Sequence, residues 1–175
     1  MEKKILLDEE SISKLHKISG AARKVLDSVG EIIWMMNKRN DNLNNLYAYL
    51  RRFASDYFEL YEINCLVECP DNIPFVFINS DIRRNIFLVV KEALHNIVKH
   101  AKATQVRVEL EIETDGSLYI TISDDGIGLH EKEEGIFGNG LLNMKQRIKD
   151  IDGKFSIETG KIKGTTLFIR VKVFN

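Results

Sequence analysis

The sequence predicts an α/β fold: a two-layer α/β sandwich with a mixed, mostly antiparallel sheet and helices on one face, preceded by a long bundle-type helix. Three observations predict it. Apolar residues recur at three and four between Ile12 and Met36. Beyond residue 100 the period changes to two, at Val106, Val108, Leu110 and Ile112 and again at Leu118, Ile120 and Ile122. The strand-like runs then cluster, with helical segments between and before them, whereas a doubly wound parallel sheet would alternate the two throughout. At 175 residues, 44% hydrophobic and 29% charged, the chain has length for one well-buried core and one extra element, but not for two full domains.

The first element follows from Ile12, Leu15, Ile18, Ala22, Val25, Leu26, Val29, Ile32, Ile33 and Met36. Written as heptads with Ile12 at a, these fill the a, d and g columns, with Ser19 the one exception. A stripe three columns wide suits a helix packed against at least two neighbours in a bundle. The polar run from Asn37 to Asn42 breaks the heptad and offers Asp41 as an N-cap, which predicts a hinge. A second amphipathic helix follows to about Glu59, carried by Leu43, Leu46, Leu50, Ala54 and Phe58. Ile63 to Cys69 reads as a strand ended by Pro70, and a long helix capped by Asp81 is expected from Ile82 to His100.

The two alternating runs are expected to form adjacent strands joined by the turn Asp115-Gly116. A glycine-rich stretch from Asp124 to Gly140 leads to a helix from about Leu141 to Ile151. Strands around Lys154 to Glu158 and Thr165 to Val173, separated by a turn at Gly160, complete the chain. The domain reading is 1–40 for the bundle helix and hinge and 41–175 for the sandwich.

Composition excludes several classes of function. A net charge of −1 and a pI near 6.4 give no general attraction to nucleic acid or anionic lipid, so neither is expected as a partner. Two cysteines, Cys65 and Cys69, are too few for a disulfide framework and are read as reduced packing residues. No apolar run approaches the roughly 18 residues that cross a bilayer, and no signal segment opens the chain, so no direct membrane contact and a cytoplasmic location are expected.

Three stretches could carry chemistry. Glu92, Asn96, Lys99 and His100 stand at i, i+4, i+7 and i+8, a base, an amide and two cations on one stripe. Such a stripe is ordinarily a solvated face. Asp124-Asp125-Gly126-Ile127-Gly128 follows a predicted strand, where a carboxylate can sit in a cleft while glycine backbone approaches a flat ligand. Gly138-Asn139-Gly140 opens a helix whose first amides favour phosphate. A dinucleotide fingerprint fails, because Asn143 stands where its third glycine would fall, and no Gly-Lys-Ser or Gly-Lys-Thr supplies a Walker loop.

Taken in order, Glu92-Ala-Leu-His-Asn96-Ile-Val-Lys-His100-Ala, Asp124-Asp-Gly126-Ile-Gly128, Gly138-Asn-Gly140-Leu-Leu-Asn-Met and Gly164-Thr165 resemble the nucleotide-binding signature of the GHKL ATPase superfamily. Within it they look most like the catalytic and ATP-binding domain of sensor histidine kinases of the nitrate-sensor type. The resemblance covers roughly Asn42 to Asn175, and Glu31 to Asn37 looks like the end of that subfamily's dimerisation helix.

The resemblance implies ATP and Mg²⁺ as ligands and gives each residue a role. Glu92 would be the catalytic base or polariser of an attacking imidazole, and Asn96 would ligate the metal. Lys99 and His100 would lie near the phosphates. Asp124 would accept from the adenine amino group, with Gly126 and Gly128 lining the base pocket and Thr165 closing it. Gly138 and Gly140 would let residues 129–138 move as a lid and, with Leu141, bring helix amides to the phosphates. The implied function is transfer of the γ-phosphoryl group to a histidine for relay to a response regulator, in a parent that is a homodimer through the N-terminal helix. His16 lies on the first helix, which corresponds by position to the family's second dimerisation helix, so the phosphoaccepting histidine is expected outside this chain. His95 and His130 read as surface residues. A regulatory serine kinase or anti-sigma factor of the same superfamily is the alternative, and the bundle stripe argues against it.

Overall fold

The computed structural model describes residues 8–128, 138–160 and 164–174. It divides into two units, Met1–Asn37 and Lys38–Asn175. The first is a single helix, α1 (Glu9–Met36). Asp8 caps it, its Oδ1 accepting from the Ser11 amide at 2.9 Å. The a, d and g side chains are exposed along its length, to 70% at Leu26 and 77% at Met36.

The second unit opens with a 3₁₀ turn, Lys38–Asn40, followed by α2 (Leu43–Glu59) and β1 (Asn64–Glu68). Then come α3 (Ser80–Asn96), a π-helical turn (Ile97–Ala101), β2 (Gln105–Ile112), β3 (Ser117–Asp124), α4 (Gly138–Lys149), β4 (Lys154–Thr159) and β5 (Thr165–Lys172). The five strands form one sheet in the order β1-β2-β3-β5-β4. Only the β1–β2 pair is parallel, and α3 lies in the crossover that a parallel pair requires.

Alternation decides which face the helices cover. Val106, Val108, Leu110, Leu118, Ile120, Ile122, Leu167, Ile169 and Val171 are buried, while Gln105, Arg107 and Lys172 between them stay exposed. On the helix side Leu46, Leu50, Phe58, Ile86, Val89, Val90 and Leu94 complete the core. Each such side chain contributes about 1.5 to 3 kcal/mol on burial. The β2–β3 turn forms at Asp115-Gly116, where Asp115 Oδ1 accepts from the Ser117 amide at 2.8 Å. Cys65 and Cys69 are free, half-buried thiols, and burial pushes the Cys65 thiol up to about 11.

Four local expectations are corrected. Asn42, not Asp41, caps α2, its Oδ1 accepting from the Asn45 amide at 2.8 Å. Asp41 instead accepts from Arg83 Nε at 2.9 Å and Ser80 Oγ at 2.7 Å, because Arg83 is fully buried and needs a counter-charge. Asn79, not Asp81, caps α3. The long helix also does not run uniformly to His100: after Asn96 it widens into the π turn and ends at Lys102, a left-handed residue with φ 51°. The last helix starts three residues earlier than its apolar pattern suggested, at Gly138.

Candidate functional site

Antiparallel pairing of β3 with β5 sets Asp124 directly opposite Thr165 at one end of the sheet. Over that end lie the π turn and the first turn of α4. The resulting pocket is lined by Asn96, Ile97 and His100, by Asp124, Gly128 and Thr165, and by Leu141. Ile122, Met144, Ile157 and Leu167 give it apolar walls.

Asp124 is half-buried, and burial pushes its carboxyl above the usual carboxylate range. Amides of Gly126 and Thr165 pull the other way, the former donating to Oδ1 at 2.8 Å, and the neighbouring Asp125 charge adds to the rise. Asp125 itself turns away. Its exposed carboxylate accepts from Thr104 Oγ1 at 2.6 Å, the Thr104 amide at 2.7 Å and the Gln105 amide at 2.9 Å. Those bonds, that of the Thr104 side chain first, hold it below the usual range.

The loop after β3 needs close backbone approach. A side chain at Gly126 would collide with the Ala101 carbonyl, which accepts from the Ile127 amide at 2.8 Å, and the Gly126 carbonyl accepts from the Gly164 amide at 2.7 Å. The loop is thereby fixed between the π turn and the head of β5. On the opposite wall the Asn96 amide Nδ2 is buried with no hydrogen-bond partner among the described residues. An unpaired buried amide of this kind costs about 1 to 3 kcal/mol, and a ligand group can complete it.

Glu92, one turn before Asn96, lies outside this pocket. It lines an adjoining cleft with Tyr57, His95, Gly140, Asn143 and Arg147. A Cβ on Gly140 would stand 2.7 Å from Glu92 Oε1 and 3.8 Å from Asn96 Nδ2, so a larger residue here would displace the Glu92 carboxylate. Tyr57 stays protonated at neutral pH, its hydroxyl pushed up to about 12 by burial first, then by Tyr61 and by the Glu92 charge.

Of the residues singled out in sequence, Asn96, His100, Asp124, Gly128, Leu141 and Thr165 share the pocket, with Gly126 behind it. Glu92 and Gly140 meet in the neighbouring cleft. Lys99 is exposed and lines neither. Gly138 is the first residue of α4, and the rest of the expected lid, residues 129–137, lies outside the described residues, as does His130. Sequence reasoning missed Tyr57 and the apolar walls, which were legible only as core positions. It also left Asp125 without a role.

Residues 81–175 match the family described as histidine kinase-, DNA gyrase B-, and HSP90-like ATPase. The chain belongs to this ATPase family. Within the family it is the catalytic ATP-binding domain type of sensor histidine kinases. It is 31% identical over 153 residues to the sensor histidine kinase DesK of Bacillus subtilis, covering 86% of this chain and 38% of that protein. It is 40% identical over 90 residues to the histidine-protein kinase/phosphatase DegS of Brevibacillus brevis, covering 50% of this chain and 22% of that one. The chain therefore spans well under half the length of these relatives. Among solved structures, the histidine kinase domain of the Erythrobacter litoralis blue-light activated kinase matches with TM-score 0.62 and 24% identity, over 73% of this chain and 61% of that chain. The Acinetobacter baumannii kinase AdeS matches over 98% of this chain and 88% of its own, with TM-score 0.60 and 13% identity, a likeness of fold alone. No described helix of this family member is long and apolar enough to cross a membrane.

Proposed function

We propose that residues 41–175 bind ATP with Mg²⁺ and transfer its γ-phosphoryl group to a histidine of a dimerisation helix outside this chain, for relay to a response regulator. Residues 1–40 are then the second dimerisation helix and hinge, through which the parent protein forms a homodimer. One observation carries the reading: a half-buried carboxylate at Asp124 stands opposite Thr165 in a pocket with apolar walls, and the unpartnered Asn96 amide lies on its other side.

The chemistry follows from those groups. Asp124 accepts a hydrogen bond from the adenine amino group, Gly126 and Gly128 leave room for the flat base, and Thr165 closes the pocket beside it. Ile122, Met144 and Leu167 keep water from the ring. The phosphates extend toward Asn96, His100 and the start of α4, where Gly138, Gly140 and Leu141 offer backbone amides at a helix N-terminus. Lys99, exposed at the rim, adds positive charge.

The Oδ1 of Asn96 would hold Mg²⁺, which keeps several waters, takes phosphate oxygens, needs few protein contacts and would neutralise phosphate charge, while the unpaired Nδ2 would donate to a phosphate oxygen. Glu92 accepts the N–H of the incoming imidazole, raising the electron density on its other nitrogen. That nitrogen bonds to the γ-phosphorus as the bond to the β–γ bridging oxygen breaks, and ADP leaves. Nothing covalent is asked of the protein beyond position and charge.

Replacing Asn96 with Ala tests the assignment. A fluorescent ATP analogue should bind the wild-type chain with Mg²⁺ and bind the variant at least about tenfold more weakly, a loss of ~1.4 kcal/mol. Unchanged Mg²⁺-dependent affinity in a folded variant removes Asn96 from the site.

A further inference from the structure

We infer that Asp125 is a positioning residue that sets the preference for adenine over guanine: its carboxylate fixes the peptide that aims Asp124 at the base. The inference rests on the reading of Asp124 as the adenine partner, and it assigns control of that group to the residue after it.

Asp125 is exposed and does not line the pocket, so it acts through its neighbours. Its place follows from the end of a ladder. Antiparallel pairing of β2 with β3 ends at Val106 opposite Asp124, and the Asp125 amide still donates to the Gln105 carbonyl at 3.2 Å. The chain then turns at Gly126, whose amide donates back to Asp124 Oδ1 at 2.8 Å. The Thr104 and Gln105 amides are met by a side chain instead: Asp125 Oδ1 accepts from both, at 2.7 and 2.9 Å, and Oδ2 accepts from the Thr104 hydroxyl at 2.6 Å. Hydrogen bonds to an ionised carboxylate are the short, strong kind.

Fixing this side chain fixes the backbone around it. Asp125 holds Gln105 through its amide and both Thr104 and Gln105 through its carboxylate, so the Asp125–Gly126 peptide cannot turn without breaking one of those bonds. That peptide carries the Gly126 N–H that orients Asp124. The segment it grips leaves the π turn through the left-handed Lys102, and the Asn64 amide pins its other side by donating to the Thr104 carbonyl at 3.0 Å. Asp125 thus ties the loop that meets the base to the exit of the turn that carries His100.

The tie serves aim more than folding. Its donors are exposed, so water replaces the carboxylate where it is removed and no buried polar group is stranded. The Ile127 amide on the Ala101 carbonyl and the Gly164 amide on the Gly126 carbonyl keep the loop closed. What is lost is the direction of Asp124. An aimed carboxylate accepts from the exocyclic amino group of adenine and repels the carbonyl oxygen that guanine carries in its place. A swinging one does neither well. Specificity is a difference of two affinities, so it registers aim more directly than either affinity alone.

The test measures displacement of a fluorescent ATP analogue from the full chain by ATP and by GTP, with Mg²⁺ present. Asp125→Ala should weaken ATP about tenfold and leave GTP within about twofold, so that the preference for ATP falls. Asp125→Asn should keep the preference within about twofold of wild type, because its Oδ1 can accept from both amides and its Nδ2 can donate to the Thr104 hydroxyl. Thr104→Val removes only the 2.6 Å bond and should lower the preference about threefold. It decides the matter if the alanine variant shows no cooperative thermal unfolding. An unchanged preference in the folded variants overturns the proposal. So does a parallel loss for ATP and GTP, which is a general loosening of the site, and so does an asparagine variant as poor as the alanine one, which makes charge rather than the tie responsible. A wild-type chain that binds no ATP analogue, or that binds GTP as well as ATP, fails the reading of Asp124 itself and removes this proposal with it.

Discussion

Asp124 and Asp125 are adjacent in sequence and are pushed in opposite directions by their surroundings. Burial raises Asp124, so the native state holds that proton more tightly than the unfolded chain, and stability falls as pH rises through the raised value. Its charged form is a cost that the nucleotide-free protein carries. Asp125 is lowered by its bonds to Thr104 and Gln105, so its contribution is present above its unfolded pKa and lost as pH falls through the folded one. Asp124→Asn should therefore raise the Tm of the nucleotide-free chain at neutral pH, by at most about 2 °C because the group is half-exposed and screened. It should also abolish the rise in Tm that ATP gives the wild type. Thermal unfolding with and without ATP at acid and neutral pH checks both, and retention of the ATP shift would count against Asp124 as the adenine partner. Asp124 was legible in sequence because a carboxylate at a strand end before two glycines is a local pattern. Asp125 was not, because its partners are brought to it only when β2 pairs with β3.

At the scale of elements, the caps and the end of α3 are where local reading gave way. Asp41 is a good helix cap by type, yet the fully buried guanidinium of Arg83 takes it, and Asn42 caps α2 instead. The chain at the start of α2 is further joined to the segment before α3, through the Leu43 amide to Val76 at 2.9 Å and the Ile78 amide to Asp41 at 3.2 Å. The hinge is thus tied at its downstream end to the helix that carries Glu92 and Asn96. Asp41→Ala should lower unfolding free energy by about 3 to 5 kcal/mol, because it removes the carboxylate partner of a fully buried guanidinium. Asp41→Leu combined with Arg83→Met should recover most of that loss in urea unfolding, since buried ion pairs are replaced by apolar groups at little net cost. A single variant as stable as wild type would mean that the pair holds nothing. The π turn at Ile97–Ala101 escaped notice for a related reason. No glycine or proline marks it, and a period of 3.6 assumes uniform winding, while Ala101 ends the turn by accepting from the distant Ile127.

For the whole molecule, the exposed stripe of α1 and the enclosed sandwich make opposite demands. The sandwich buries its apolar faces within the second unit, whereas Leu26, Val29, Ile33 and Met36 remain open to water on α1. Such a face is expected to find a second copy of the stripe, as the proposed homodimer requires. Leu26→Glu with Ile33→Glu should turn a self-associating chain into a monomer in sedimentation velocity, with Tm of the second unit within about 2 °C of wild type. A wild-type chain that sediments as a monomer at high concentration would remove this role from the stripe. By itself the sequence determined the strands, the helices and their buried faces, because periods of two and 3.6 are written locally and each apolar face must be covered. It also placed Asn96, Asp124 and Thr165 as candidates for one site. Tertiary structure alone decided that Glu92 faces a different cleft from Asn96 one turn away, that Lys99 lines neither, and that Asp41 answers Arg83. Those outcomes depend on how closely α4 approaches α3 at Gly140 and on which carboxylate the buried Arg83 guanidinium meets, and both are fixed only when distant segments pack.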